Sequence, residues 1–199
     1  MSTRQADKEE QWPSRGRGAS ALVWRAYETP WGEGMVAADE DGLRLVELPR
    51  VPAAPAASCD QHVTEVGASG SSSRRRAALE SWAEALEEYF RGERLAWTAG
   101  DIPWDDLGVR PFEREVYEAL LTVPPGETVS YGQLAEMAGH PRAARAVGSA
   151  MAANPIPVVI PCHRVIRSDG TLGNYGDDPD WKPRLLEHER CTLRARTLH

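Results

Sequence analysis

Near the start of the chain, apolar positions recur with a period of two. Leu22, Trp24 and Ala26 alternate with their neighbours; so do Leu43 and Leu45, with Val46 and Leu48 in the opposite phase. This pattern predicts β structure across residues 21–48. Asp39-Glu40-Asp41-Gly42 has turn composition and separates the runs 35–38 and 43–48, so a hairpin in a small antiparallel sheet is expected. Residues 51–75 are rich in Ala, Pro, Ser and Gly and read as a linker, with room for a short strand near 62–66. From 77 to 91 the period changes: Leu79, Trp82, Leu86 and Tyr89/Phe90 recur at helical spacing, and Gly92 ends the helix. Arg74-Arg75-Arg76 just before it reads as a solvated helix start.

A second module opens at Pro111. Phe112, Val116, Ala119, Leu120 and Val123 mark one face of a helix that Pro124-Pro125-Gly126 stops. Ser130-Tyr131-Gly132-Gln133 has the form of a capping box, with Ser130 as N-cap. It starts a short helix that Gly139 ends. Pro141 then stands at the first position of a second helix, read as 142–153, which Asn154-Pro155 halts. Two short helices across a Gly-containing turn predict a helix-turn-helix. The second is rich in small side chains: Ala143, Ala144, Ala146, Gly148, Ser149, Ala150, Ala152 and Ala153. Composition alone leaves tight packing on another helix and close approach to DNA equally open. A last helix is expected from about Trp181, with Asp180 as its cap and Lys182 anchoring it. The organisation that follows is a tail (1–19), an N-terminal domain (20–100), a linker (101–110), a second domain (111–192) and a short tail (193–199). The class is α+β.

Composition narrows the setting. Lys plus Arg is 23 and Asp plus Glu is 30, a formal net charge of −7, which speaks against a general nucleic-acid binder. Between 131 and 170, however, Arg142, Arg145, Arg164 and Arg167 face only Glu136 and Asp169, so an acidic chain presents one cationic stretch. Three cysteines, Cys59, Cys162 and Cys191, without a CxxC pair argue for a reducing compartment. No signal peptide and no bilayer-spanning run is read, which predicts a cytoplasmic protein.

The chemistry concentrates at 154–165. A short apolar run, 158–160, reads as a buried strand ending at Cys162, with Pro155, Pro157 and Pro161 stiffening the backbone. Cys162 stands beside His163, and His188-Glu189 lies in the last helix. A carboxylate orienting an imidazole that takes the thiol proton is a recurrent arrangement for an activated nucleophile. A lone cysteine is more often a small buried hydrophobe. That reading suits Cys59 and Cys191, whereas Cys162 combines stiffening, a neighbouring His and nearby Arg residues.

Pro161-Cys162-His163-Arg164-Val165 closely resembles the active-site signature of the 6-O-alkylguanine-DNA alkyltransferases. The likeness extends through Pro125-Gly126-Glu127-Thr128-Val129-Ser130-Tyr131, Ala144-Arg145-Ala146-Val147-Gly148, Gly173-Asn174-Tyr175-Gly176, Lys182 and Leu185-Leu186-Glu187-His188-Glu189. It is strong over 110–190 and only an outline over 20–100. The resemblance implies a ribonuclease H-like N-terminal domain and a winged helix-turn-helix-like second domain. It implies irreversible transfer of an alkyl group from flipped-out guanine in duplex DNA to Cys162, with no cofactor and no metal. His163 would accept the thiol proton through a water, Glu189 would hold the imidazole tautomer, Asn154 would fix the backbone under the cysteine, and Tyr131 would protonate the guanine. Arg145 would fill the gap in the stack. Arg142, Ala144, Ala146, Gly148 and Arg164 would join Tyr131 and Arg145 against the minor groove. Val165, Tyr175, Gly176 and Pro157 would line the base pocket. The implied protein is a monomer working on double-stranded DNA, in the nucleoid or a nucleus. Asp177-Asp178-Pro179-Asp180 departs from the family's Gly-Gly loop and is expected to alter tolerance for bulky alkyl groups. Cys59 and His62 make too few ligands for structural zinc. The rival readings are a non-catalytic reader of alkylated DNA, a helix-turn-helix regulator with a sensing thiol, and a cysteine hydrolase.

Overall fold

The computed structural model describes residues 22–39, 42–49, 73–173 and 180–198. Three antiparallel strands open it: β1 (Val23–Thr29), β2 (Gly32–Ala38) and β3 (Leu43–Glu47), in that spatial order. Tyr27 pairs with Gly34, and the pairing explains the glycine. A Cβ at Gly34 would lie 2.2 Å from the Tyr27 ring, so only glycine lets that ring lie flat across the sheet. Tyr27 then donates to the Glu47 carbonyl at 2.9 Å, tying β1 to β3 over β2. The expected β2–β3 turn is present, with the Asp39 amide donating to the Gly42 carbonyl at 3.0 Å.

Helix α1 (Ser73–Phe90) packs on β1 and β2. It starts four residues earlier than its apolar period indicated, because its first turn, which carries Arg74, Arg75 and Arg76, holds no apolar residue for that period to register. Leu79, Ala83, Leu86, Tyr89 and Phe90 are buried along it. Each such aliphatic side chain stabilises the fold by roughly 1.5–3 kcal/mol. The stretch 93–110, which includes the expected linker 101–110, is more ordered than a linker. It holds a 3-10 turn (Ala99–Asp101) and the short α2 (Trp104–Leu107), and it buries Leu95, Trp97, Ile102 and Trp104.

Helices α3 (Pro111–Leu121), α4 (Tyr131–Met137) and α5 (Ala144–Ala152) form the predicted helical module. The Ser130 capping box is complete: the Gln133 amide donates to Ser130 Oγ at 3.2 Å, and the Ser130 amide donates to Gln133 Oε1 at 2.8 Å. Helix α5 begins later than expected. Arg142 adopts φ +76°, a left-handed conformation that no helix continues through, so Pro141-Arg142 form the turn of the helix-turn-helix. Strands β4 (Val129–Ser130) and β5 (Val165–Ile166) make a short parallel pair. Helix α6 (Trp181–Thr197) runs through residues expected to be a tail. Asp180 sits at its N-cap, but in αR geometry and without a side-chain cap bond.

A single apolar core runs from Tyr27 to Leu185, through both modules. Polar bonds cross it as well. The Val46 amide donates to the Pro155 carbonyl at 3.0 Å, and Trp181 Nε1 donates to the Pro49 carbonyl at 3.0 Å. The sheet therefore holds the loop that carries the cysteine. The expected tail 1–19, the strand near 62–66, Cys59 and His62 lie outside the described residues.

Candidate active site

The loop before the cysteine is not the strand that its apolar run predicts. Residues 156–160 turn tightly, with Val158 at φ +74° and only an isolated bridge between Pro157 and Ile160. Ile156, Val158, Val159 and Ile160 are fully buried. Burial of all four side chains requires the chain to curl. A β-branched residue in the left-handed region costs on the order of 1–3 kcal/mol, and the packing around it bears that strain.

Asn154 organises the loop. Its Oδ1 accepts from the Ile156 amide at 3.1 Å, and its Nδ2 donates to the Ile160 carbonyl at 2.9 Å. The same Nδ2 reaches Cys162 Sγ at 3.1 Å. A donor at that distance favours negative charge on sulfur. Cys162 opens a 3-10 turn (Cys162–Arg164) and is 7% exposed, so little of it meets solvent.

His163 and Glu189 are wholly buried, with His163 Nε2 2.8 Å from Glu189 Oε1. Glu189 collects five donors. Besides His163, the Tyr89 hydroxyl donates to Oε1 at 3.0 Å and the Gly126 amide to Oε2 at 2.7 Å. Arg164 contributes Nε and Nη2, the latter at 2.8 Å. Burial alone would raise this carboxyl's pKa. The hydrogen bonds and charges of His163 and Arg164 outweigh it and hold the group at about 2. His163 moves below its ordinary value, chiefly because burial disfavours the imidazolium, with Glu189 opposing. An ionised carboxylate accepts only, so the proton sits on Nε2 and Nδ1 keeps its lone pair. That Nδ1 is buried without a hydrogen-bond partner.

Arg164 requires a correction. Expected at the DNA surface, it is 1% exposed. Besides Glu189 it donates to the Val123 carbonyl and the Leu95 carbonyl, each at 2.7 Å. Every arm is consumed inside the fold, so it is a clamp under the relay. The reason is topological: the 3-10 turn lies wholly inside the fold, with Cys162, His163 and Arg164 all buried, so its arginine finds partners only in the interior.

Tyr131, at the start of α4, is half-buried. Its phenol is pushed above its usual value, first by burial, then by negative charge on Cys162, with Arg167 opposing. Lys182 Nζ donates to the Leu172 carbonyl at 2.6 Å and stands 6.0 Å from the Tyr131 ring centre. Its ammonium is pushed down, mainly by burial. Lys182 thus anchors the 171–173 segment to α6 beside the cysteine. On α5, Val147 and Ala150 face inward, whereas Arg145, Ala146 and Ser149 are exposed and Ala144 and Gly148 are half-buried. Nothing lies within 4 Å of a Cβ built at Gly148, so this face is open. Arg142 is exposed in the turn. His140 pairs with Glu115 at 2.5 Å. Val165 is buried and pairs with Val129; Pro157 is half-buried. Tyr175, Gly176 and the Asp177-to-Pro179 stretch lie outside the described residues. No group of three or more potential metal ligands occurs among the described residues.

Two contributors carried no sequence signal for the site. Tyr89 looked like one more apolar position of α1, and Gly126 like a helix stop. Nothing local connects either to a carboxylate some sixty to a hundred positions away.

A hydrogen-bonded imidazole and carboxylate thus stand next to a thiol in the core that a helix-turn-helix shares, which defines a class of proteins carrying a cysteine beside a buried His–Glu pair on a helix-turn-helix scaffold. Residues 111–191 match the family described as 6-O-methylguanine DNA methyltransferase, DNA binding domain. Over 173 residues the chain is 40% identical to a methylated-DNA–protein-cysteine methyltransferase of Shigella flexneri, covering 86% of this chain and 98% of that one. It is 51% identical to the protein of that name from Mycolicibacterium paratuberculosis over 107 residues, which is 62% of that relative. Among solved structures, the Mycobacterium tuberculosis O6-methylguanine methyltransferase superposes with a TM-score of 0.61 at 31% identity, over 86% of this chain and 94% of that one. The same organism's OGT in complex with DNA gives 0.62 at 31% identity, over 85% and 93%. The chain belongs to the methylated-DNA–protein-cysteine methyltransferase family.

Proposed function

We propose that this protein repairs DNA directly, by moving an alkyl group from oxygen 6 of guanine in duplex DNA onto Cys162. One observation carries the assignment of roles. Beside Cys162, a neutral His163 has its Nε2 proton engaged by an ionised Glu189 and its Nδ1 lone pair unengaged. That imidazole is a base, and Nδ1 is the atom that takes the thiol proton through one intervening water. Asn154 Nδ2 stabilises the resulting thiolate.

The sulfur then attacks the alkyl carbon. A carbon–sulfur bond forms, the bond from carbon to oxygen 6 breaks, and its electron pair stays on the guanine. Neutral guanine leaves only if the base gains a proton, which the Tyr131 phenol supplies. The product is a thioether, which the relay does not cleave, so each molecule acts once. Reaching the base requires its rotation out of the stack, at a cost of a few kcal/mol. Arg145, long and exposed on an otherwise small-residue face, occupies the space left behind, and Ala144, Ala146 and Gly148 permit close approach to the minor groove. Val165, Pro157, Tyr175 and Gly176 are the proposed pocket residues. The protein works as a monomer on double-stranded DNA, without a cofactor, wherever the genome is held: the cytoplasm or a nucleus. Among the described residues no helix is long and apolar enough to cross a membrane.

The test is covalent. Duplex DNA bearing labelled 6-O-methylguanine is incubated with the protein, and the label is located by peptide mass. One label per molecule on Cys162, absent in Cys162→Ser, is expected. Binding without label would mark a reader, and repeated turnover a hydrolase.

A further inference from the structure

The four arginines of the cationic stretch have separate fates. Arg142 and Arg145 lie on the helix-turn-helix, and Arg164 is consumed inside. Arg167 alone remains without a role. It follows β5, is exposed, and makes no side-chain hydrogen bond or ion pair among the described residues. Its backbone is fixed: its amide donates to the Thr171 carbonyl at 2.9 Å, and its carbonyl accepts from the Gly170 amide at 3.0 Å. Arg167 borders a surface cavity of about 250 Å³ whose other walls are Thr128, Ser130, Gln133, Ile166, Ser168 and Gly170. Three hydroxyls and an amide side chain thus face the space beside one guanidinium. The same arginine reaches back toward the cysteine. A Cβ built at Gly173 would lie 3.5 Å from Arg167 Nε and 3.8 Å from the Tyr131 hydroxyl, so the two groups flank one point. Arg167 also lowers the proton affinity of both Tyr131 and Lys182. Asp169, two positions on, accepts from the Thr171 amide at 2.9 Å and hydroxyl at 2.6 Å; Arg167 helps to keep it ionised without a hydrogen bond between the two.

We infer that Arg167 and the cavity it borders form a seat for a backbone phosphodiester of the DNA strand that carries the extruded nucleotide. This rests on the alkyl-transfer reading and deepens it. A guanidinium is suited to a phosphate because its planar fork offers paired donors to two oxygens. Its position next to Tyr131 puts the grip at the mouth of the site, where the strand must bend if one base is to leave the stack. In a chain of net charge −7, attraction to DNA depends on a few placed cations, and one at the mouth counts for more than one at the edge.

The experiment compares the full chain with Arg167→Ala and Arg167→Lys. Duplex affinity is measured across a salt series, together with transfer rates from duplex DNA and from free 6-O-methylguanine base, which has no phosphate. For Arg167→Ala, the slope of log affinity against log salt should shrink by about one. The duplex rate at limiting DNA should fall severalfold relative to the free-base rate, and Arg167→Lys should restore most of the slope. An unchanged salt slope would overturn the seat. So would equal falls on duplex and free base, which would make Arg167 a tuner of Tyr131 instead. If the slope shrinks but wild-type protein never carries alkyl on Cys162, the seat stands and the transfer reading fails.

Discussion

Tyr89 on α1 donates a 3.0 Å hydrogen bond to Glu189 on α6, and both side chains are fully buried. One hundred positions separate them. The bond carries the N-terminal module into the relay: the helix that packs on the sheet also positions the carboxylate that positions the imidazole. The Tyr89 phenol stays protonated, since burial first, and then the neighbouring carboxylate, drive its pKa far up. It is therefore a permanent donor. Tyr89→Phe should lower stability by about 1–2 kcal/mol, read as a urea midpoint shift. It should also slow transfer, because Glu189 loses one of the bonds that fix its orientation. An unchanged rate would show that the remaining donors suffice.

Glu189→Gln should be far more damaging. It removes the counter-charge for a buried Arg164 and turns one of two acceptor oxygens into a donor where five donors converge. Leaving a buried guanidinium without its counter-charge costs about 3–5 kcal/mol. At a temperature where the variant remains folded, single-turnover transfer should fall by about 10- to 100-fold, because the imidazole is no longer held by a charged acceptor. Tm and stopped-flow quench rates measure the two effects separately.

Arg164→Met separates clamp from DNA contact. The Val123 and Leu95 carbonyls and Glu189 would all lose a donor, so Tm should drop sharply. The salt slope of DNA binding should stay as in the wild type, since Arg164 meets no solvent. A reduced slope with unchanged Tm would return Arg164 to the surface.

Stability should fall on the acid side. The folded His163 pKa lies below its ordinary 6.5, so its contribution is full above 6.5 and declines as pH drops below that value. The Glu189 carboxyl is held near 2 against 4.5, so its contribution is full above 4.5 and is lost as pH falls toward 2. That second shift corresponds to roughly 3 kcal/mol. Urea midpoints from pH 7.5 to 3 should decline in two overlapping stages. The acid limb of transfer should lie lower than the onset of this first stage, because the folded imidazole gains its proton only below its ordinary 6.5. Tyr131, raised by burial and by charge on Cys162, should keep its proton beyond pH 10.

Asn154→Ala removes three bonds around the loop at once. Transfer should slow by more than stability predicts, since the donor at 3.1 Å from Cys162 Sγ disappears with the loop support. Asn154→Asp should be worse than alanine in transfer, because a carboxylate beside the sulfur opposes thiolate formation. Equal rates for the two variants would separate Asn154 from the thiol.

Much of this was legible in one dimension. Alternation marked the sheet, helical spacing marked α1 and α3, and the Ser130 box placed α4 because caps are local chemistry. Cys162 and His163 were nameable because they stand side by side in a short, proline-stiffened motif; the roles expected of Asn154 and Glu189 came with the family resemblance. What failed had a common cause. The run 158–160 looked like a strand because three consecutive buried apolar residues suit a strand and a tight buried turn equally. Arg142 looked helical because only the backbone dihedral reveals the turn. Arg164 looked like a DNA contact because a cation in a cationic stretch carries no sign of which way it faces.

By itself the sequence determined which groups could do chemistry and which local elements would carry them, since these depend on composition and on spacings of a few residues. Only the tertiary structure decided which arginine is consumed inside and which are exposed, and that Tyr89 and Gly126 converge on Glu189. Such pairings join positions tens of residues apart. They are set by how the shared core closes, and burial then fixes the protonation state of the groups it encloses.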